Sequence, residues 1–155
     1  MRKEQRMIES EIYAVEELDS TYRRLYEAAF EAAGRAYAPY SGFQVGAALL
    51  LANGEIVTGS NQENIAYPSG LCAERTALFY AGARYPGVAV QVLAVAAVKD
   101  GVRQSGVSPC GACRQVMVET EMRSGAPIRI LLCGRESATL FNGISSLLPY
   151  CFDSF

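Results

Sequence analysis

Two short strings in this sequence combine the residue types that zinc chemistry uses. The first string is Cys72-Ala73-Glu74-Arg75, and the second is Pro109-Cys110-Gly111-Ala112-Cys113-Arg114-Gln115. The chain contains no histidine, so a zinc site must be built from cysteine with or without carboxylates. Any general base must be a carboxylate, lysine, tyrosine or thiolate, which excludes every histidine-based catalytic triad.

Three cysteines in these strings form a candidate zinc site. Both strings open predicted helices, where backbone N–H groups and the helix dipole favour negative charge, so we expect lowered pKa values at Cys72, Cys110 and Cys113. Three protein ligands leave one zinc position open for water, which is typical of a catalytic site, whereas four ligands are typical of a structural one. We therefore predict one catalytic Zn²⁺ per chain.

The residues beside Cys72 have predicted roles of their own. We predict that Glu74 carries protons, because the pattern of a ligand, x-E and then P-C-x-x-C belongs to zinc nucleobase deaminases in which the glutamate is the general acid and base. Three thiolates and Zn²⁺ sum to −1, which weakens the metal as a Lewis acid. Arg75 is the main candidate to offset this charge by donating to a thiolate, and Arg114 is the weaker one.

The elements that must position these residues can be read from the apolar pattern. Helices are predicted at Leu18 to Tyr37, Cys72 to Arg84 and Cys110 to Arg123. Strands are predicted at Phe43 to Leu51, Glu55 to Asn61, Val88 to Val98, Ile128 to Cys133 and near Ala138 to Phe141, with a tight primed turn at Asn53-Gly54. This order predicts an α/β fold, a three-layer α/β/α sandwich around a mixed, about five-stranded sheet.

Length and composition limit the function classes. The 155 residues predict one domain, 1–155, with 1–20 as an N-terminal extension. Half of the residues are hydrophobic and the net charge is −2, so the chain lacks the basic field that gathers nucleic acid. We see no signal peptide and no apolar run of membrane-spanning length. The expectation is a soluble, cytoplasmic protein with a small substrate and with neither nucleic acid nor membrane as partner.

Beyond the cysteine strings, the chain resembles the small homotetrameric zinc-dependent cytidine deaminases of the three-cysteine type. The resemblance also rests on the segments 37–47, 61–64, 67–68 and 147–149, which read YAPYSGFQVGA, NQEN, YP and LLP. It implies a cytidine deaminase-like fold, a homotetramer and a place in pyrimidine salvage. The implied reaction is hydrolytic deamination of cytidine and deoxycytidine to uridine and deoxyuridine plus ammonia.

The resemblance also implies a set of substrate contacts. Asn61 and Glu63 match the pair that binds the ribose hydroxyls, and a carboxylate there would repel a phosphate, so nucleosides should be preferred over nucleotides. The backbone of Ala73 is expected beside the zinc-bound water. The implied aromatic contacts are Phe43 near the pyrimidine, Tyr67, and Phe152 reaching a neighbouring subunit's base.

Rival hypotheses remain at this point. A structural zinc-binding module would use Cys133 or Cys151 as a fourth ligand and would leave Glu74 without a function. A thiol redox protein would use Cys110 and Cys113 alone. A related deaminase would act on polynucleotides or on a nucleoside antibiotic such as blasticidin. Cys133 lies in an apolar strand and is expected to be a small buried hydrophobe. The N-terminal extension could form an extra strand or an arm onto a neighbour.

Overall fold

Helices and strands alternate along the chain. The computed structural model describes residues 1–154. Within them the strands are β1 Glu11–Ala14, β2 Phe43–Leu51, β3 Ile56–Ser60, β4 Val90–Lys99, β5 Val102–Arg103, β6 Arg129–Cys133 and β7 Ser137–Asn142. The α-helices are α1 Ser20–Ala33, α2 Ala73–Arg84 and α3 Gly111–Ser124.

The strands form one mixed sheet in the order β1-β7-β6-β4-β2-β3, with β5 also paired to β4. β4 and β6 run parallel, whereas the other neighbours are antiparallel. The predicted mixed sheet is confirmed, but it has seven strands rather than about five. The two additional strands are β1 and β5, which have four and two residues and are too short to produce a clear period-2 pattern.

The helices cover both faces of the sheet, which confirms the three-layer sandwich. Alternate residues of each central strand point to opposite faces. Leu93 and Val95 of β4 pack beneath α2 and α3, whereas Val92 and Ala94 pack beneath α1. The central strands are therefore apolar at nearly every position, and the helices that carry the cysteine strings lie together on one face.

Two glycines set how closely the helices approach the sheet. A Cβ at Gly46 of β2 would lie 2.0 Å from the carbonyl oxygen of Ala29 in α1. A Cβ at Gly59 of β3 would lie 2.7 Å from the carbonyl oxygen of Ala73, the first residue of α2. Real Cβ atoms do not make such contacts, so glycine is needed at both positions for this helix–sheet distance.

The β2–β3 hairpin has a longer turn than the sequence predicts. A two-residue primed turn needs positive φ at both central residues, yet Gly54 has a φ of +87° and Asn53 does not have a positive φ. The N–H of Gly54 donates to the carbonyl of Leu51 at 2.9 Å, and the N–H of Leu51 donates to the carbonyl of Glu55 at 2.9 Å. The prediction of a primed turn is therefore wrong: the loop is a three-residue turn that ends in a left-handed glycine.

The N-terminal extension contributes β1 to the edge of the sheet, so the extra-strand alternative is confirmed within this chain. β1 pairs with β7, with Glu11 opposite Leu140. After β1, Asp19 caps α1 by accepting from the N–H of Tyr22 at 2.8 Å. No helix within residues 1–154 is long and apolar enough to cross a membrane.

Candidate zinc site and its surroundings

The three predicted zinc ligands converge at the starts of two helices. Cys72 and Cys110 are the N-cap residues of α2 and α3, and Cys113 lies in the first turn of α3. The Sγ atoms of Cys72 and Cys110 are 3.8 Å apart, and all three sulfurs lie within 4.8 Å of one another. Zn–S bonds of about 2.3 Å at tetrahedral angles place sulfurs about 3.8 Å apart. The donor set and its spacing therefore fit a zinc ion.

The electrostatic environment of the sulfurs is uneven. The pKa of Cys72 is lowered to about 5, first because Cys113 hydrogen-bonds to its sulfur and then because Arg75 does, and these effects outweigh burial. The same bond with Cys72, together with burial, raises the pKa of Cys113. The expectation of lowered pKa values at all three sulfurs is therefore wrong for Cys113, because its hydrogen bond with Cys72 and its complete burial both favour the protonated thiol.

Glu74 is the one buried charged residue within residues 1–154, with 4 % of its surface exposed. Burial is the main cause that raises its pKa above the usual value for glutamate, and the neighbouring charge of Cys72 adds to this. A carboxyl group with a raised pKa exchanges protons closer to neutral pH. Glu74 does not belong to the sulfur cluster itself, so its carboxylate remains available beside the three candidate ligands.

Arg75 contacts the cluster and Arg114 does not. Nη2 of Arg75 donates to the sulfur of Cys72 at 3.5 Å. Arg114 instead donates to the carbonyl of Pro109 at 2.8 Å, to the hydroxyl of Ser108 at 3.0 Å and to the carbonyl of Leu147. The prediction of Arg114 as a charge-offsetting residue is wrong, since its guanidinium fastens the loop that precedes α3 to the chain after β7.

The predicted ribose-binding residues lie beside the start of β2. Oδ1 of Asn61 accepts from the N–H of Val45 at 2.7 Å, and Nδ2 donates to the carbonyl of Phe43 at 2.9 Å. Oε2 of Glu63 accepts from the N–H of Tyr40 at 2.9 Å, and Oε1 accepts from the hydroxyl of Ser41. The bond from Ser41 is the main cause that lowers the pKa of Glu63, which therefore stays ionised at neutral pH.

The remaining predicted substrate contacts lie in different environments. Ala73 is completely buried at the first position of α2, next to Cys72. Phe43 opens β2 and is partly buried. Tyr67 is exposed, and its ring lies edge-on to that of Tyr40 with 6.5 Å between centroids.

Comparison with known proteins agrees with this geometry. Residues 19–125 match the family model of the cytidine and deoxycytidylate deaminase zinc-binding region. A cytidine deaminase from Halalkalibacterium halodurans is 44% identical over 128 residues, which cover 83% of this chain and 91% of that protein. The chain belongs to this deaminase family. Family membership and the three-sulfur cluster make it a zinc-dependent hydrolytic deaminase.

Solved structures of the deaminase family share the fold. The crystal structure of a cytidine deaminase from Burkholderia pseudomallei has a TM-score of 0.69 and 38% identity, covering 84% of this chain and 98% of that one. A cytidine deaminase from Mycobacterium tuberculosis has a TM-score of 0.66 and 33% identity, covering 88% of this chain and all of that one. The α/β/α sandwich is thus the fold of these deaminases.

The rival of a closed structural zinc site finds no support in this deaminase. Among residues 1–154, the cluster of candidate ligand atoms contains Cys72, Cys110 and Cys113 and no fourth cysteine or carboxylate. Cys133 is buried in β6, as expected of a small hydrophobe, and its sulfur donates to the carbonyl of Leu131. Cys151 is exposed after β7. A zinc ion held by these three sulfurs would keep its fourth position for water, as a catalytic site requires.

Sequence reasoning missed Gln115 as a residue that connects the zinc helix to the C-terminal segment, residues 147–154. Its Nε2 donates to the carbonyl of Phe152 at 2.7 Å, and its Oε1 accepts from the N–H of Phe152 at 3.3 Å. An amide side chain that bonds both backbone groups of one residue imitates a strand partner. The only available signal was its position two residues after Cys113, which does not indicate a partner 37 residues away.

Proposed function

We propose that this deaminase converts free cytidine and deoxycytidine to uridine and deoxyuridine, with release of ammonia. The observation that carries the proposal is the cluster of three sulfurs, without a fourth candidate ligand among residues 1–154, next to the buried carboxyl group of Glu74. The relatives named cytidine deaminase support the choice of substrate. The corresponding cellular process is pyrimidine salvage, in the cytoplasm, where a reducing environment keeps zinc-binding thiols from forming disulfides.

The proposed mechanism assigns the proton transfers to Glu74. Zn²⁺ held by Cys72, Cys110 and Cys113 supplies Lewis-acid activation of a water molecule when it is bound. Glu74 accepts a proton as water oxygen bonds to C4 of the pyrimidine, and it delivers that proton to N3. It then carries the second proton to the amino group, so that ammonia leaves as the C4 carbonyl forms. Burial raises the pKa of this carboxyl group above the usual value for glutamate, which favours its role as a proton carrier.

We assign the charge-offsetting role to Arg75. Three thiolates give the site more negative charge than Zn²⁺ neutralises, and this excess would weaken activation of the water. The guanidinium of Arg75 donates to the Cys72 sulfur and withdraws part of that charge. Arg75 therefore acts on the reaction through Cys72 and does not touch the substrate.

Recognition of the sugar is assigned to Asn61 and Glu63. Glu63 is partly buried and ionised, and its carboxylate can accept a hydrogen bond from a ribose hydroxyl. One lone pair and one N–H of the Asn61 amide are used to fix β2, and the others remain for a hydroxyl. The negative charge of Glu63 repels a phosphate, so nucleotides should be poorer substrates than nucleosides.

The pyrimidine is assigned to Phe43 and Phe152, with Tyr67 as a further substrate contact, and the backbone of Ala73 would lie beside the water that zinc activates. Phe152 is 63% exposed, which suits contact with a neighbouring subunit's base in a homotetramer. Large exposed hydrophobic residues on α2, such as Phe79 and Tyr80, give the proposed assembly apolar surface to bury. We treat residues 1–155 as one catalytic domain, with residues 1–20 as an extension of it.

A substrate panel tests the assignment. Purified protein is mixed with cytidine, deoxycytidine, cytidine monophosphate or blasticidin, and the change in ultraviolet absorbance is followed. The proposal predicts turnover of both nucleosides, with kcat/KM for the nucleotide at least about 10-fold lower because of charge repulsion at Glu63. If blasticidin is converted and neither nucleoside is, the substrate is a nucleoside antibiotic and the assignment to cytidine is wrong. Size-exclusion chromatography tests the assembly, and elution at the mass of a monomer would contradict the proposed homotetramer.

A further inference from the structure

The N-terminal arm, residues 1–10, crosses from the sheet edge to the C-terminal segment. It leads into β1, which is held on β7. The family model matches residues 19–125, so the arm lies outside the part of the chain that defines the family. We propose that the arm is a clasp that positions Phe152 for substrate binding, with Arg6 as the positioning residue.

The contacts of Arg6 carry the proposal. Its guanidinium carbon lies 4.3 Å from the ring centroid of Tyr150, within the range of a cation–π interaction. Its Nη1 donates to the carbonyl of Pro149, and its Nε donates to the carboxylate of Glu4 at 3.0 Å. Glu4 belongs to the arm itself. The Arg6 guanidinium is therefore oriented by a residue of the arm while it binds two consecutive residues of the C-terminal segment, Pro149 and Tyr150.

The clasp acts together with the two fixed points supplied by α3. Arg114 holds the carbonyl of Leu147, and Gln115 holds both backbone groups of Phe152. Between these points, residues 147–152 form neither a helix nor a strand. Arg6 contacts the middle of this stretch, at Pro149 and Tyr150. The N–H of Leu148 donates to the carbonyl of Ile144, so loss of the Arg6 contacts leaves residues 149–151 held only through Leu148 and Phe152 at their two ends.

The functional consequence rests on the proposed function, in which Phe152 contacts the base of the nucleoside. A segment that must be ordered before it binds lowers the affinity for substrate, because ordering costs conformational entropy. The zinc ligands and Glu74 lie on other elements, so the proton-transfer machinery does not depend on the clasp. The arm should therefore affect KM and leave kcat nearly unchanged.

Arg6→Ala in the full-length zinc-loaded protein tests the clasp, with Arg2→Ala as the matched control. Arg2 lies on the same arm and carries the same charge, and within residues 1–154 it has no hydrogen bond or ion pair of its own. Hydrogen exchange measured by mass spectrometry reports on residues 147–154, and steady-state kinetics with cytidine report KM and kcat. Arg6→Lys is included because an ammonium group retains a cation over the Tyr150 ring.

We expect Arg6→Ala to speed exchange in the C-terminal segment and to raise KM about 3- to 10-fold, the size of one exposed cation–π contact, with kcat within about twofold. Arg6→Lys should recover part of the KM, and Arg2→Ala should match the unmodified protein. Unchanged exchange in Arg6→Ala overturns the clasp, and faster exchange with unchanged KM overturns its positioning role. Absence of cytidine turnover in the unmodified protein would instead overturn the proposed function. The hydrogen-exchange comparison would still show whether Arg6 holds the C-terminal segment.

Discussion

The guanidinium of Arg75 donates to the sulfur of Cys72 across 3.5 Å, from one turn further along the same helix. This bond contributes to the lowered pKa of Cys72 after the larger effect of Cys113. The helix therefore supplies both a zinc ligand and a positive charge to moderate it. In a site of three thiolates, such moderation determines how strongly a bound metal can polarise water.

Removal of the Arg75 charge should weaken both zinc binding and turnover. We expect Arg75→Gln to lower zinc affinity or kcat by about 10- to 100-fold, the usual effect of losing a hydrogen bond to a metal ligand. Competition with a chromogenic chelator measures the affinity. Arg84→Gln, at the far end of the same helix, is the control. Equal zinc affinity and equal kcat in the two variants would contradict the role of Arg75.

Zinc content should separate the three cluster cysteines from the other two. Replacement of Cys72, Cys110 or Cys113 by serine is expected to reduce zinc from about one per chain to a small fraction, because a weakly acidic hydroxyl replaces a thiolate ligand. Cys151→Ser should keep full zinc, since Cys151 is exposed and lies outside the cluster. Atomic absorption on dialysed protein gives the count. Full occupancy in one of the three cluster variants would remove that residue from the site.

The distance between α2 and the sheet should be sensitive to a single methyl group. A methyl group at Gly59 meets the backbone of Ala73 and Ala77, so we expect Gly59→Ala to lower the free energy of unfolding by about 1–3 kcal/mol or more. Gly82→Ala is the control, because the nearest atom there is the end of the Arg123 side chain, 3.9 Å away. It should be neutral or stabilising by up to about 1 kcal/mol. Urea unfolding measures both, and equal midpoints would contradict the packing at Gly59.

Loss of the Glu63 charge should weaken substrate binding and leave zinc binding unchanged. We expect Glu63→Gln to raise KM for cytidine by about 10- to 100-fold, since a charged hydrogen bond to the ribose is lost. The preference for nucleoside over nucleotide should shrink in the same variant. Glu55→Gln, in the β2–β3 loop, is the control with the same change of charge. A KM equal to that of the control would show that Glu63 only fixes the loop at Tyr40 and Ser41.

The sequence predicted the zinc ligands and the layers because both depend on local patterns. Cys110 and Cys113 lie within one helical turn of each other, and β4 is apolar at every position except Gln91 and Lys99. The contacts that the sequence did not predict join distant residues through backbone groups. Gln115 binds Phe152 and Arg114 binds Leu147, and neither pairing produces a periodic signal. β1 also escaped a firm prediction, because four residues at a sheet edge are stabilised by their partner strand rather than by their own pattern.

The central claim is that Glu74 moves protons beside zinc held by three thiolates. The most direct test measures cytidine turnover and zinc content together in Glu74→Gln, with the exposed Glu119→Gln as the control. The proposed mechanism predicts about one zinc per chain in both variants and a loss of kcat of about 10²- to 10⁴-fold in Glu74→Gln alone. Turnover of Glu74→Gln equal to that of the control, at full zinc occupancy, would contradict it.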